Sequence, residues 1–236
     1  MTIRGIFLIL FFIFTFVFGI CAQTTQVIVD PTKTAPALKA TAAEEKLIKS
    51  LLPKVRRIWT SDTCEESFSI TGVASGAFTK KDSTQKAFLY EFCETGNGLA
   101  NDGILITEAG RVVAHFIYEG ASTGGLNSLP DLNGNGVDEL LITNYGGMHQ
   151  GISGTGIDVI EFFGKSLKEI GATEIEYAEE TEKGEKGYSY KISVKTGASP
   201  VFYREKFVKK GKTWRKVGNV AKAEMFKLDY KYNAVK

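Results

Sequence analysis

The sequence predicts an all-β protein with one short helix near its N-terminus. Three observations predict it. Glycine and the rings of Phe and Tyr are abundant, 25 Gly with 16 Phe and 9 Tyr, against only 5 Pro; strands favour aromatic residues and their turns favour Gly. From Cys64 onward, short apolar runs alternate with Gly, Asn and Lys: SFSITGVASGAF, KAFLYEFCE, GILITEAGRVVAHFIYE, ELLITNY, IDVIEFFGKSLKEIG, YSYKISV and PVFYREKFVKKGKTWRKVG. Strand–turn–strand pieces also recur at nearly constant spacing. The chain's 236 residues suffice for one domain, or a small pair, with a real core.

The first element is MTIRGIFLILFFIFTFVFGICAQ. Arg4 precedes an apolar run from Gly5 to Ile20, and small Ala22 stands before Gln23. That is the layout of a cleavable secretory signal peptide, residues 1–22. The run is short for a membrane span, which needs roughly 20 apolar residues. An uncleaved N-terminal membrane anchor is the alternative; bulky Ile20 argues against a lipid anchor on Cys21. The expected destination is therefore secretion, or the periplasm and cell envelope.

Residues 23–41, rich in Thr, Ala and Pro, read as a flexible tether. Residues 42–60 follow as a short helix packing on the domain. Leu47, Ile48, Leu51, Leu52 and Val55 recur at helical spacing. Thr41 is the expected N-cap with Glu44 as its capping-box partner, and Pro53 ends the helix early. Residues 61–236 form the β-rich domain. Loss of Cys21 with the signal leaves Cys64 and Cys93, an even pair expected to form a disulfide in an oxidising compartment, or to stay as two buried thiols.

The repeats come next. GKSLKEIG (164–171) and GKTWRKVG (211–218) match 47 residues apart, and AGRVVAHF (109–116) resembles both. Each reads as a hairpin tip. A second offset, of 52 residues, lays TKKDSTQKAFLY (79–90) on DLNGNGVDELLI (131–142). A period near 50 with about four short strands per unit predicts a propeller-like array of about three four-stranded antiparallel units, at 66–118, 119–171 and 172–220. Closed propellers need at least four. The remaining arrangements are a β-sandwich, an irregular barrel, an open stack or a ring completed by another chain.

The loop DLNGNGVDE, Asp131 to Glu139, carries the chemistry. Asp131, Asn133, Asn135 and Glu139 place oxygens at alternate positions, with the Val137 carbonyl between the last two. Calcium takes six to eight hard oxygen ligands in irregular geometry. Gly134 and Gly136 give the turn the backbone freedom to aim alternate residues inward. An EF-hand would need Glu at position 12; Ile142 stands there. A metal-free turn of Asn, Asp and Gly is the other explanation of the same residues.

The stretch LPDLNGNGVDELLIT (129–143) resembles the calcium loop of FG-GAP repeats, the integrin-α-type (VCBS-like) propeller blades of many secreted bacterial proteins. The resemblance implies Ca²⁺ held by Asp131, Asn133, Asn135, Val137 and Glu139, with a structural role. It departs at Asn135 and Glu139, where the family usually has Asp, and this chain keeps one copy of the loop. One carboxylate fewer implies weak binding, roughly 10⁻⁴–10⁻³ M, suited to extracellular calcium. Asp138 is expected to face solvent.

Other chemistry is thin. NYGGMHQGISGTG (144–156) reads as a flexible inter-strand loop, or as a ligand rim of Asn144, Tyr145, His149 and Gln150 suited to sugar or peptide. His115 reads as a half-buried strand residue. With 29 basic and 27 acidic residues, the net charge of +2 points away from nucleic acid. Contact with a membrane is expected only through an uncleaved N-terminus. The resemblance implies a noncatalytic binding module for a protein or glycan at the cell exterior. The alternative is a secreted enzyme, glycan hydrolase-like, with its site at the 144–156 rim.

Overall fold

The computed structural model describes residues 24–33, 38–52, 68–92, 99–163, 166–182, 184–211, 213–228 and 233–235. The expected signal segment 1–22, Cys64, Cys93 and their disulfide lie outside the described residues. The described elements are β1 (Thr25–Val29), α1 (Ala42–Ser50), β2 (Phe68–Gly76), β3 (Gln85–Phe92), β4 (Leu99–Glu108), β5 (Arg111–Ala121), β6 (Thr123–Leu129), β7 (Glu139–His149), β8 (Ile152–Phe163), β9 (Ser166–Thr181), β10 (Gly184–Lys195), β11 (Val201–Lys210), β12 (Thr213–Lys222) and β13 (Asn233–Ala234).

The protein is all-β, and its strands form two antiparallel sheets. The smaller runs β13-β5-β4-β3-β2; the larger runs β12-β11-β10-β9-β8-β7-β6, with β1 added alongside β10. Of the expected arrangements, the sandwich-like one holds. The first expected unit, 66–118, corresponds to the meander β2–β5, but the second and third continue into each other as one sheet instead of separate blades. The reason lies in β9, sixteen residues long, which pairs with β8 over nearly its whole length and with β10 through its last turns of chain.

The 52-residue offset marks a real correspondence. It superposes β2 on β6 and the entry to β3 on the entry to β7, and Thr71 Oγ1 meets Thr123 Oγ1 at 2.8 Å where the two first strands run side by side. The hairpin tips also lie where expected. Ala109 and Gly110 join β4 to β5, both with positive φ; residues 164–165 lie between β8 and β9, and Gly211 leaves β11.

Three apolar clusters hold these layers. Ala87, Leu89, Ile104, Ile106 and Phe116 of the small sheet meet Leu126, Leu140, Ile142, Ile160 and Phe162 of the large one. The opposite face of the large sheet gathers Leu141, Ile157 and Val159 with Ile192, Val194 and Phe202. A strand buried on both faces has no apolar–polar alternation, which explains the unbroken Leu140-Leu141-Ile142. The third cluster seats Ile48 of α1 against Val73, Phe88, Tyr90, Phe92 and Leu105 on the outer face of the small sheet. The helix has the expected capping box, Thr41 with Glu44, and stops at Ser50, before Pro53.

Within the expected tether, 23–41, the chain departs from a flexible linker. Thr25–Val29 is a strand paired with β10, and Ile28 and Val29 pack on the second cluster. The β-branched run Val27-Ile28-Val29 favours this extended pairing.

Candidate functional site

The loop 130–138 connects β6 to β7, and its backbone bends back on the side chain of its first acid. Asp131 Oδ1 accepts from the N–H groups of Gly134 (2.7 Å) and Asn135 (3.1 Å), and Oδ2 accepts from Gly136 (2.7 Å). Asn133 Oδ1 accepts from Asn135 N at 3.1 Å, and Asn135 Oδ1 from Val137 N at 2.9 Å. Gly134 and Gly136 have φ of 80° and 90°, the left-handed region that glycine enters without steric cost. The side-chain oxygens at positions 1, 3 and 5 are thus all turned onto the loop's own backbone. An amide oxygen has two lone pairs, so each asparagine keeps one beyond these bonds.

Glu139 opens β7 and is completely buried. Its Oε2 accepts from Leu132 N at 2.8 Å, while Oε1 is buried with no hydrogen-bond partner. Burial pushes this carboxyl up to about 8; the Leu132 N–H pulls the other way, and the charges of Asp131 and Glu161 add to the rise. A buried oxygen without a partner is costly, and a cation is one way to satisfy it.

Asp138, expected to face solvent, is half-buried. Its Oδ2 accepts from Ala77 N at 2.8 Å, and its own N–H donates to Ala77 O at 3.0 Å. The two corresponding loops, one ahead of β3 and one ahead of β7, are thereby tied together.

The residue that sequence reasoning missed is Glu161 on β8. It is 2% exposed. Its Oε2 accepts from Asn133 Nδ2 at 2.5 Å and from Asn135 Nδ2 at 2.9 Å, and its Oε1 accepts from Lys168 Nζ at 2.7 Å. The available signal is a lone acid inside the apolar run VIEFF. Asn133, Asn135, Glu161 and Lys168 line a cleft of about 530 Å³, together with Phe202 and Met225.

Among the described residues, no three His, Cys, Asp or Glu side chains gather as a metal-holding group. A cation in this loop would rest on two carboxylates, two amide oxygens and a carbonyl. All-oxygen donors with neutral members suit a hard ion such as Ca²⁺. The buried, unpaired Glu139 Oε1 and the inward-turned oxygens fit that ion.

Of the expected rim residues, Asn144 and Tyr145 are turned to opposite sides of one strand. Residues 144–149 continue strand β7, and Gln150–Gly151 makes the turn into β8, with φ of 52° and 79°. The stretch is a hairpin arm, because Asn144 and Tyr145 pair with Gly156 and Thr155 across the ladder. Neighbours on a strand face opposite sides. Asn144 is buried and donates to Asp158 Oδ2 at 2.6 Å; Tyr145 is 48% exposed. Gln150 is exposed at the turn, and His149 pairs through its backbone with Ile152. A second cleft, of about 260 Å³, is lined by Asn144, Asp158, Glu174 and Phe226. Burial raises Asp158 to about 7, offset by the Asn144 bond and helped by Glu169. His115 is buried more deeply than expected, at 7% exposure, with Tyr90 Oη at 2.5 Å from Nε2.

Comparison with protein-family models, with curated proteins and with solved structures gives no match.

Proposed function

We propose that the protein is a calcium-binding, noncatalytic interaction module working outside the cell or in its envelope, with calcium in a structural role. One observation carries the calcium reading. Glu139 ends a loop of inward-turned oxygens with a buried carboxylate oxygen that has no protein partner. The resemblance of residues 129–143 to FG-GAP calcium loops and the signal-like N-terminus support the extracellular setting. The partner class that follows is a protein or glycan at the cell exterior.

The test is a thermal melt in EDTA and in about 2 mM Ca²⁺, a few-fold or more above the expected dissociation constant of ~10⁻⁴–10⁻³ M. Binding to the native state alone stabilises by about 0.6–1.8 kcal/mol at that concentration, which is a few degrees in a domain of this size. The rise is expected in the parent protein and lost in Asp131→Ala. No rise in either removes the calcium reading.

A second reading, glycan hydrolysis, is favoured by the cleft at the β7–β8 hairpin, where two carboxyl side chains, Asp158 and Glu174, share one lining. Paired carboxyls are the working parts of glycosidic cleavage. Turnover of an oligosaccharide panel that disappears in Asp158→Asn would favour this reading. A parent protein inert on the panel would leave the binding module.

A further inference from the structure

We infer that Glu161 is the positioning residue of the loop's cation site, holding the Asn133 and Asn135 amides with their oxygens turned to the ion. The inference rests on the calcium reading above and names a residue from outside the loop.

An Asn amide has two ends of nearly equal size, an acceptor oxygen and a donor NH₂. Only the oxygen can ligate calcium. Left alone, such a side chain turns about a broad torsion and presents either end. Here both ends of both amides are held. Each Oδ1 accepts from the backbone N–H two residues on. Each Nδ2 donates to the same atom, Glu161 Oε2. An ionised carboxylate only accepts, so Glu161 can hold the nitrogen end and never the oxygen end. It thereby fixes both amide planes in the sense a cation needs.

The same contact accounts for the loop's departure from the pattern it resembles. At position 5 the resembled loops usually carry Asp, and this chain carries Asn135. A carboxylate there would stand against Glu161, whose Oε2 lies 2.9 Å from Asn135 Nδ2, and like charges at that range repel. An amide turns that repulsion into a hydrogen bond. Lys168, itself largely exposed, closes the arrangement with its ion pair to the other Glu161 oxygen. An independent observation also points to a ligand at the loop: Glu139, whose Oε2 accepts from Leu132 N of the loop, keeps its Oε1 fully buried and unpaired. Asn133, Asn135 and Glu161 border the 530 Å³ cleft, so solvent reaches the arrangement.

The experiment is a calcium titration of the full exported protein, read by calorimetry, with melts in EDTA to follow the fold. Loss of a residue that orients metal ligands typically costs about 10–100-fold in affinity. Glu161→Ala is expected to weaken calcium by that factor. Glu161→Gln keeps an oxygen acceptor for the amides and is expected to stay within a few-fold of the parent. Parent-like affinity in Glu161→Ala, alongside lost binding in Asp131→Ala, overturns the inference and leaves the calcium reading standing. Equal damage from Gln and Ala also overturns it, since charge and not amide orientation would then matter. A parent protein that binds no calcium overturns the calcium reading itself. Should Glu161→Ala fail to fold, Asn135→Asp supplies the test. It is expected to weaken calcium beside Glu161 and to strengthen it in the Glu161→Gln background, where Gln can donate to the new carboxylate. The same sign in both backgrounds overturns the inference.

Discussion

Two glycines lie beneath tyrosine rings, and the rings decide what each position tolerates. A Cβ on Gly103 would stand 1.9 Å from Tyr90 Cζ, and one on Gly124 would stand 2.0 Å from Tyr145 Cε2. Tyr90 is fully buried, its hydroxyl is bonded to His115 and its ring packs near Phe68 and Phe92. Tyr145 is 48% exposed and can swing away. Gly103→Ala is therefore expected to lose about 3 kcal/mol through overpacking, and Gly124→Ala less than about 1 kcal/mol. Urea denaturation of both variants checks this, and equal losses would sink the argument. Neither contact is legible in the sequence, where both residues look like strand breaks, because a ring that covers a glycine comes from another strand. The loop at Asp131 stands out in the sequence because its oxygen-bearing residues alternate within nine positions, 131–139. Glu161 does not, since the β8 ladder alone carries it to the two asparagines.

At the scale of elements, local signals survived and nonlocal ones did not. The capping box at Thr41 and Glu44 is written within four residues and forms as expected: Glu44 N donates to Thr41 Oγ1, and Thr41 N donates to Glu44 Oε2 at 2.8 Å. The second Glu44 oxygen takes Lys86 Nζ of β3 at 2.7 Å, so the cap also pins α1 to the small sheet. Thr41→Ala is expected to cost about 1 kcal/mol. Lys86→Met removes a half-exposed ion pair and is expected to cost less, up to about 1 kcal/mol. Chemical denaturation ranks the two, and a larger loss from Lys86→Met would show the tether to β3 outweighing the cap. The hairpin tips were legible for the same reason as the cap. Whether β9 ends one unit or joins the next within the same sheet is set by its pairing with both β8 and β10, and no local pattern announces that double pairing. Strand β1 was hidden because five residues of Thr, Gln and Val-Ile-Val read equally well as linker until β10 offers an edge.

At the scale of the whole molecule, the sandwich buries carboxyl groups that water would otherwise ionise, and stability should follow pH accordingly. Asp102 lies on the strand face shared with Ile104 and Ile106, toward the large sheet. It is fully buried, and neither of its oxygens has a hydrogen-bond partner. Burial, with the neighbouring charge of Glu91, raises it from 3.8 to about 8. The unfolded chain gives up this proton near 3.8 and the native chain holds it to about 8. Between those values the native state binds more protons, so the contribution is full at low pH and is lost as pH rises through the window. The slope from this one group is about 1.4 kcal/mol per pH unit. Asp158 and Glu139, raised to about 7 and about 8, push in the same direction, whereas calcium bound at Glu139 would oppose its part. Asp102→Asn isolates the first group, since the amide keeps the shape and has no proton to lose. Its stability relative to the parent, measured by urea denaturation in EDTA, is expected to improve steadily from about pH 5 to about pH 8 and then level off. A difference that does not change with pH would mean that Asp102 is ionised in the folded sandwich, with its charge balanced across the sheets.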